Sequence, residues 1–293
     1  MARIAYVDGR YLPLRAATVP VEDRGFQFAD GIYEVVKRIG GRLIDVDRHL
    51  ARLRRSLAAL RIDLPVSDAA LHRIVKQTIA RNALADALVY LQVSRGTAPR
   101  NHPFPADTRP SLVVTVRRLK LPTEAERQKG CAVITHPDER WARCDIKSTG
   151  LLANVLAKQA AQEAGCREAW LVASGPAGDV ITEGSSTNAW IVDEHGVLRT
   201  HPATQRILGG VTRSVVLEQA RELGIPLAER AFSPAELARA REAFLTSATS
   251  LVLPVTSVDG RPVANGMPGD TTRRLMDRYA AHCGLPAEPP VRG

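Results

Sequence analysis

Between Leu119 and Gln128 the chain changes character, and Lys120-Leu121-Pro122-Thr123-Glu124 has the make-up of a connection between domains. At 293 residues the chain is too long for one hydrophobic core of ordinary size. The break therefore predicts an N-terminal domain over 1–119, a linker over 120–125 and a C-terminal domain over 126–293. Strands and amphipathic helices are expected on both sides of it.

In the first half, Ile4 to Leu14 reads as a strand pair turned at Asp8-Gly9. Tyr33 opens a β-branched strand that ends at Gly40-Gly41; a strand tyrosine is most often cross-strand packing. Asp47 is expected to cap a helix whose Leu50, Leu53, Leu57 and Leu60 share one face. Arg52 projects away from that face, so the pattern alone makes it a solvated charge. A second helix follows Ser67, with Leu71, Ile74, Val75, Thr78 and Ile79 at helical spacing. Leu88–Ser94 and Ser111–Val116 read as strands. The proline-stiffened loop between them carries Arg100 and His102, a pair equally compatible with a solvated loop and with a carboxylate clamp, the arginine supplying a fork and the histidine a further donor.

In the second half, Lys147 lies in Arg140-Trp141-Ala142-Arg143-Cys144-Asp145-Ile146-Lys147-Ser148, before a helical run from Leu151 to Ala164 that Gly165 stops. A lysine near a helix start, close to Arg140 and Arg143, is biased towards losing its proton, and a deprotonated amine is what Schiff-base chemistry needs. Taken alone, a lysine is far more often a solvated surface charge. Glu183 precedes Gly184-Ser185-Ser186-Thr187-Asn188, compatible with a site loop or with a solvated turn. Leu208-Gly209-Gly210-Val211-Thr212 opens a helix to Leu223, where free backbone N–H groups suit a phosphate. Ser233-Pro234-Ala235-Glu236 is a structural capping box. Phe244 to Ser250 is a strand entering a hydroxyl-rich loop, again suited to phosphate, and a last helix runs from about Thr271 to Ala281.

A net charge of +9 raises nucleic-acid binding, but the basic residues are dispersed and aromatic residues are 4%, too few for a stacking platform. Small anionic substrates account for the charge equally well. Cys131, Cys144, Cys166 and Cys283 stand apart without metal-ligand spacing, so no metal is expected and a cytoplasmic location fits. No apolar run of membrane length is present, and the N-terminus lacks the apolar region of a secretion signal.

An activated lysine, a carboxylate, two phosphate-grade loops and an Arg/His pair are together what a pyridoxal phosphate enzyme acting on amino acids needs. The chain resembles the fold-type IV pyridoxal phosphate aminotransferases over nearly its whole length, and most of all their D-amino acid branch. The segments that carry the likeness begin at Asp23 (Asp-Arg-Gly-Phe-Gln-Phe-Ala-Asp-Gly-Ile-Tyr-Glu), Arg95 (Arg-Gly-Thr-Ala-Pro-Arg-Asn-His), Arg143 (Arg-Cys-Asp-Ile-Lys-Ser) and Glu183 (Glu-Gly-Ser-Ser-Thr-Asn). The resemblance implies a two-domain α+β fold that works as a homodimer, with pyridoxal 5'-phosphate in the cleft between the domains. It makes Lys147 the Schiff-base and proton-shuttling residue and Glu183 the partner of the pyridine nitrogen. Arg52, Val211, Thr212, Ser247 and Ala248 would hold the phosphate, Leu208 would pack on the ring, and Tyr33, Arg100 and His102 would hold the substrate α-carboxylate. Ala248 departs from the family, which usually has a threonine there; loss of one neutral hydrogen bond, about 0.5–1.5 kcal/mol net, implies looser cofactor binding.

The implied reaction is ping-pong transamination between a D-amino acid such as D-alanine and a 2-oxo acid such as 2-oxoglutarate. The rivals are a branched-chain L-aminotransferase, an (R)-amine transaminase, a lyase of the aminodeoxychorismate type and, from another class, a basic nucleic-acid-binding protein.

Overall fold

Asp8 and Gly9 both take positive φ, 44° and 93°, the geometry of a two-residue hairpin. They join β1 (Ile4–Val7) to β2 (Arg10–Pro13). The computed structural model describes residues 3–176 and 178–285. Its contacts divide the chain into two units: the residues up to Leu119 with Ile146–Leu151, and Lys120–Asp145 with the residues from Leu152 onward. The segment that carries Lys147 thus belongs with the first unit, although the sequence pattern assigns it to the second.

The first unit continues with α1 (Arg24–Phe28), β3 (Gly31–Ile39), β4 (Arg42–Leu43), α2 (Val46–Leu60), α3 (Asp68–Asn82), β5 (Ala87–Ser94) and β6 (Ser111–Arg118). The strands form an antiparallel sheet in the order β2-β1-β6-β5-β3-β4. Because side chains alternate along a strand, Ile32, Val36, Val89, Leu91, Val93, Leu112, Val114 and Val116 share a core with Leu50, Leu53 and Leu57 of α2 and Leu71, Ile74, Val75 and Ile79 of α3. Burying each such side chain contributes about 1.5–3 kcal/mol, so the spacing that predicts both helices is also what holds them on the sheet. Tyr33, Val35, Tyr90, Gln92, Val113 and Thr115 alternate with that core set and stay half-buried. Ser67 caps α3, accepting from Ala70 N at 3.3 Å. Asp47 does not cap α2: it lies in the first turn, and the residue before the helix is Asp45, at φ 54° with no side-chain cap. After β5 the backbone passes Arg109 so closely that a Cβ on Gly96 (φ 101°) would stand 2.0 Å from the Arg109 carbonyl oxygen.

The second unit opens inside the expected linker, where Thr123 and Glu126 close a capping box on α4 (Glu124–Lys129). It continues with β7 (Cys131–Pro137), α5 (Leu152–Glu163), β8 (Glu168–Ala173), β9 (Val180–Gly184), β10 (Asn188–Val192), β11 (Leu198–Thr200), α6 (Val211–Glu222), β12 (Leu227–Ala228), α7 (Pro234–Ala238), β13 (Glu242–Ser247), β14 (Leu251–Val258), β15 (Arg261–Pro262) and α8 (Asp270–Cys283). The sheet runs β12-β11-β10-β13-β14-β7-β8-β9, with β15 on β14. The pairs β14–β7, β7–β8 and β11–β12 are parallel. Val133, Trp170, Ile181, Ile191, Leu245 and Val255 pack with Phe232 and Leu237, and α5 covers β8 through Ala157 and Ala161. The predicted capping box of Ser233 and Glu236, with Pro234 beside it, starts α7.

All four cysteines are free. Burial pushes the Cys131 thiol up to about 12 and the Cys144 thiol up to about 11, so neither supplies a thiolate near neutral pH. Among the described residues no helix is long and apolar enough to cross a membrane, and no group of His, Cys, Asp and Glu side chains is arranged to hold a metal ion.

Candidate functional site

Lys147 sits on a return segment laid against β3, not at a helix start. Its carbonyl accepts from Tyr33 N at 3.0 Å, and its own N–H donates to Ser56 Oγ of α2 at 3.3 Å. Ser148 bridges Ile32. Thr149 donates from its N–H to Gly31 O at 3.0 Å and from its hydroxyl to Ala29 O at 3.1 Å. With the backbone fixed on both sides, Nζ stands 4.2 Å from the centroid of the Tyr33 ring, which stacks on Tyr90 at 5.5 Å. Since α5 begins only at Leu152, the helix-dipole argument for this lysine does not apply. The two arginines invoked with it are ion-paired: Arg143 with Asp145 at 2.9 Å, and Arg140 with Asp138 and Glu183.

Arg52 is buried, contrary to the solvated place that its helical angle predicts. His49, Arg52 and Ser56 form a polar stripe along α2 beside the leucines, and all three are buried. The cause is Glu34, which falls on the core side of β3 between Ile32 and Val36 and is 0% exposed. Arg52 grips it through Nε (2.7 Å to Oε1) and Nη2 (2.8 Å to Oε2), and His49 Nδ1 meets Oε2 at 2.8 Å. Burial raises the Glu34 carboxyl, but the Arg52 charge and the hydrogen bonds outweigh it and lower the group to about 2. Burial also lowers the His49 imidazole despite Glu34, so the neutral ring donates through Nδ1–H. Glu34 and His49 are absent from the sequence-derived set. The signal for Glu34 was available, since a period of two puts it among apolar side chains, where a carboxylate needs a cation.

Arg100 and His102 are exposed and share one neighbour, Phe28: the Arg100 guanidinium lies 4.5 Å from its ring centroid and the His102 ring 5.4 Å. Their loop is tied down by Arg24, which donates to the His102 carbonyl at 3.1 Å and to Asp30 at 2.8 Å. Arg95 holds the same carboxylate at 2.7 and 3.0 Å. Burial raises the Asp30 carboxyl, and the Arg95 and Arg24 guanidiniums overcome this and hold it below its ordinary value. Of the three residues expected to form a carboxylate trap, Arg100 and His102 are thus together, while Tyr33 is paired with Lys147.

In the second unit Glu183 belongs to β9, a strand and not the loop its neighbours suggested. It is 5% exposed. Its Oε1 accepts from Arg140 Nη1 and from Leu208 N at 3.0 Å, and its Oε2 accepts from Asn188 Nδ2 at 2.9 Å. Asn188 also donates to Leu208 O at 3.0 Å, so Glu183 and Leu208 are locked together. Arg140 and Asn188 are the residues here that the sequence-derived set omits. The helix α6 starts just beyond, with Gly210 as an N-cap that has no side chain to satisfy the first N–H groups. A Cβ on Gly210 would stand 2.1 Å from Asn188 Oδ1. Val211 and Thr212 are buried, and the Thr212 hydroxyl already meets Tyr279 Oη at 3.2 Å. The pairing of Asn188 with Thr246 brings the end of β13 alongside β10. Ser247 and Ala248 follow in a turn where Ser247 Oγ accepts from Ser250 N at 2.9 Å and lies 3.4 Å from Thr249 Oγ1. The hydroxyls that could stand in for a threonine at Ala248 are therefore engaged within the turn itself.

Residues 31–258 match the family model described as amino-transferase class IV. The chain is 42% identical over 269 residues to a D-alanine aminotransferase of Bacillus licheniformis, covering 92% of this chain and 93% of that protein. It is 40% identical over 276 residues to a D-alanine aminotransferase of Listeria innocua, covering 93% of each. Among solved structures, the Escherichia coli branched-chain amino acid aminotransferase superposes with a TM-score of 0.89 at 24% identity, over 99% of this chain and 98% of that one. The branched-chain aminotransferase of the thermophilic archaeon Thermoproteus uzoniensis, solved with norvaline, gives 0.85 at 24% identity over 97% and 96%. At those identities the likeness establishes the fold alone.

Proposed function

The chain belongs to the class IV amino-transferase family, and from that premise we propose that it moves the amino group of a D-amino acid such as D-alanine to a 2-oxo acid such as 2-oxoglutarate, with pyridoxal 5'-phosphate as cofactor. The observation that carries the D-amino acid reading is the 42% identity, over 92% of the chain, to a D-alanine aminotransferase.

The chemistry of the donor sets fits that cofactor. Glu183 is a buried carboxylate oriented by three donors, an acceptor suited to one cationic ring N–H. The uncapped start of α6 offers backbone N–H groups to a phosphate, and a side chain on Gly210 would fill the approach to Asn188. When bound, the cofactor supplies an aldehyde for an amine and a ring that takes up the electrons released as the substrate loses its Cα proton.

The chain's own residues do the rest. Lys147 Nζ would hold the aldehyde, and as a free amine it would take the proton from the substrate Cα. Glu183 holds the proton of the ring nitrogen. Val211 and Thr212 through their N–H groups, with Ser247, Ala248 and Arg52, would hold the phosphate, and Leu208 would pack on the ring. Tyr33, Arg100 and His102 receive the α-carboxylate. A homodimer is part of the proposal, supported by Leu152, Val155 and Leu156, which are 73%, 57% and 54% exposed along one face of α5. Cytoplasmic action is proposed as well, supported by four free cysteines.

The deciding assay supplies 2-oxoglutarate with D-alanine, L-alanine, L-leucine or a simple (R)-amine and follows the oxo product. Pyruvate from D-alanine and none from L-alanine is expected; turnover of L-leucine or the amine with D-alanine inert would overturn the reading. A second expectation concerns Gly210→Ala. Its Cβ displaces Asn188, which orients Glu183, at the cost of overpacking, about 1–3 kcal/mol. Titration of the apoprotein with the cofactor should register this as about a tenfold or greater rise in the dissociation constant.

A further inference from the structure

Asp138 lies outside the residues assigned to the cofactor, yet it governs the direction of one that meets Glu183. Arg140 is 7% exposed and Asp138 9%. Arg140 Nε donates to Asp138 Oδ1 and Nη2 to Asp138 Oδ2, both at 2.8 Å, while Nη1 donates to Glu183 Oε1. A guanidinium is planar and rigid, so two bonds along one edge dictate where the remaining corner points. Asp138 is itself pinned: its N–H donates to Val172 O at 2.8 Å, and Oδ2 accepts from the Thr182 hydroxyl at 2.7 Å. The further contacts of Arg140 Nη2 are longer, Arg206 O at 3.2 Å and Thr182 Oγ1 at 3.3 Å.

We propose that Asp138 is a positioning residue for the ring-nitrogen partner, aiming Arg140 at Glu183 and setting the charge that Glu183 presents. The inference rests on the cofactor reading above. Charge counting gives its direction. Two carboxylates and one guanidinium leave the trio with a single net negative charge, the complement of one protonated ring nitrogen. Without the Asp138 charge the trio is neutral, and Arg140 spends its whole charge on Glu183. Loss of aim and loss of charge both weaken the hold on the ring nitrogen, and neither acts on the aldehyde or the phosphate.

That selectivity supplies the test. Apoprotein is titrated with pyridoxal 5'-phosphate and with its 1-deaza analogue, in which carbon replaces the ring nitrogen. Asp138→Asn is expected to weaken the natural cofactor by about tenfold or more, the worth of a charge-assisted contact, and to leave the analogue's affinity within about twofold. Asp138→Glu, which keeps the carboxylate, should recover part of the loss. If Asp138→Asn does not fold by gel filtration and circular dichroism, Thr182→Val, which removes the hydroxyl that pins Asp138 Oδ2, should give the same discrimination on a smaller scale. Equal losses for both ligands, or no loss for either, would overturn the inference. Wild-type apoprotein that binds neither ligand would overturn the cofactor reading itself, and the inference with it.

Discussion

Lys147→Ala is expected to abolish transamination and to leave the fold in place. The second half follows from what the side chain does in the folded chain. Its segment is held by main-chain bonds to Tyr33 and Ser56 and by Thr149, none of which needs the amine. What disappears is the contact of Nζ with the Tyr33 ring, worth about 0.5–2 kcal/mol, and the thermal midpoint should fall by only a few degrees, at about 2–4 °C per kcal/mol. The catalytic loss is far larger. A positioned proton-transfer group contributes about 10²–10⁴-fold by itself, and in the proposed mechanism the same amine also holds the cofactor. Turnover of D-alanine should fall by at least about 10³-fold. Borohydride reduction followed by peptide mapping gives an independent readout: the label is expected on the wild-type peptide containing Lys147 and on no peptide of the variant. Turnover within about tenfold of wild type, or a label elsewhere, would remove Lys147 from its role.

How far such a site can be read from sequence depends on which physical signal each residue carries. Periodicity was enough for the α2 and α3 cores, because Leu53 and Leu71 are buried for reasons that act within a few residues of chain. Motifs single out Lys147 and Glu183 as candidates but say nothing of their settings. Lys147 is followed by a helical run, and nothing local reveals that Gly31 and Tyr33 of β3 hold its segment. Arg52 shows the limit most clearly. Its angle on α2 says solvent, and its burial is decided by Glu34, 18 residues earlier in the chain. Arg140 lies near Lys147 in sequence, whereas its bonds go to Asp138 and Glu183. Long-range ion pairs have no period and no spacing, so they become visible only once strands and helices are in place.

The Glu34 pair also carries the largest expected effect on stability. Glu34→Ala would leave Arg52, 6% exposed, without the carboxylate that balances it. Removing one partner of a buried pair costs about 3–5 kcal/mol, a large share of the roughly 5–15 kcal/mol that holds a domain together. The thermal midpoint should drop on the order of 10 °C. The dependence on pH identifies the cause. The Glu34 carboxyl is lowered from 4.5 to about 2 by Arg52 and its hydrogen bonds, against burial. Between those values the unfolded chain binds the proton and the folded chain does not, so stability rises with pH. The contribution is complete above about 4.5 and is lost as pH falls towards about 2. As the Glu34 charge is lost, wild type and Glu34→Ala should therefore converge as pH falls from about 4.5 towards about 2. Asp30 and Asp138 are also lowered, but they act in both proteins and cancel in the difference. A gap between the two midpoints that stays constant from neutral to acid pH would mean that Glu34 contributes packing, not charge.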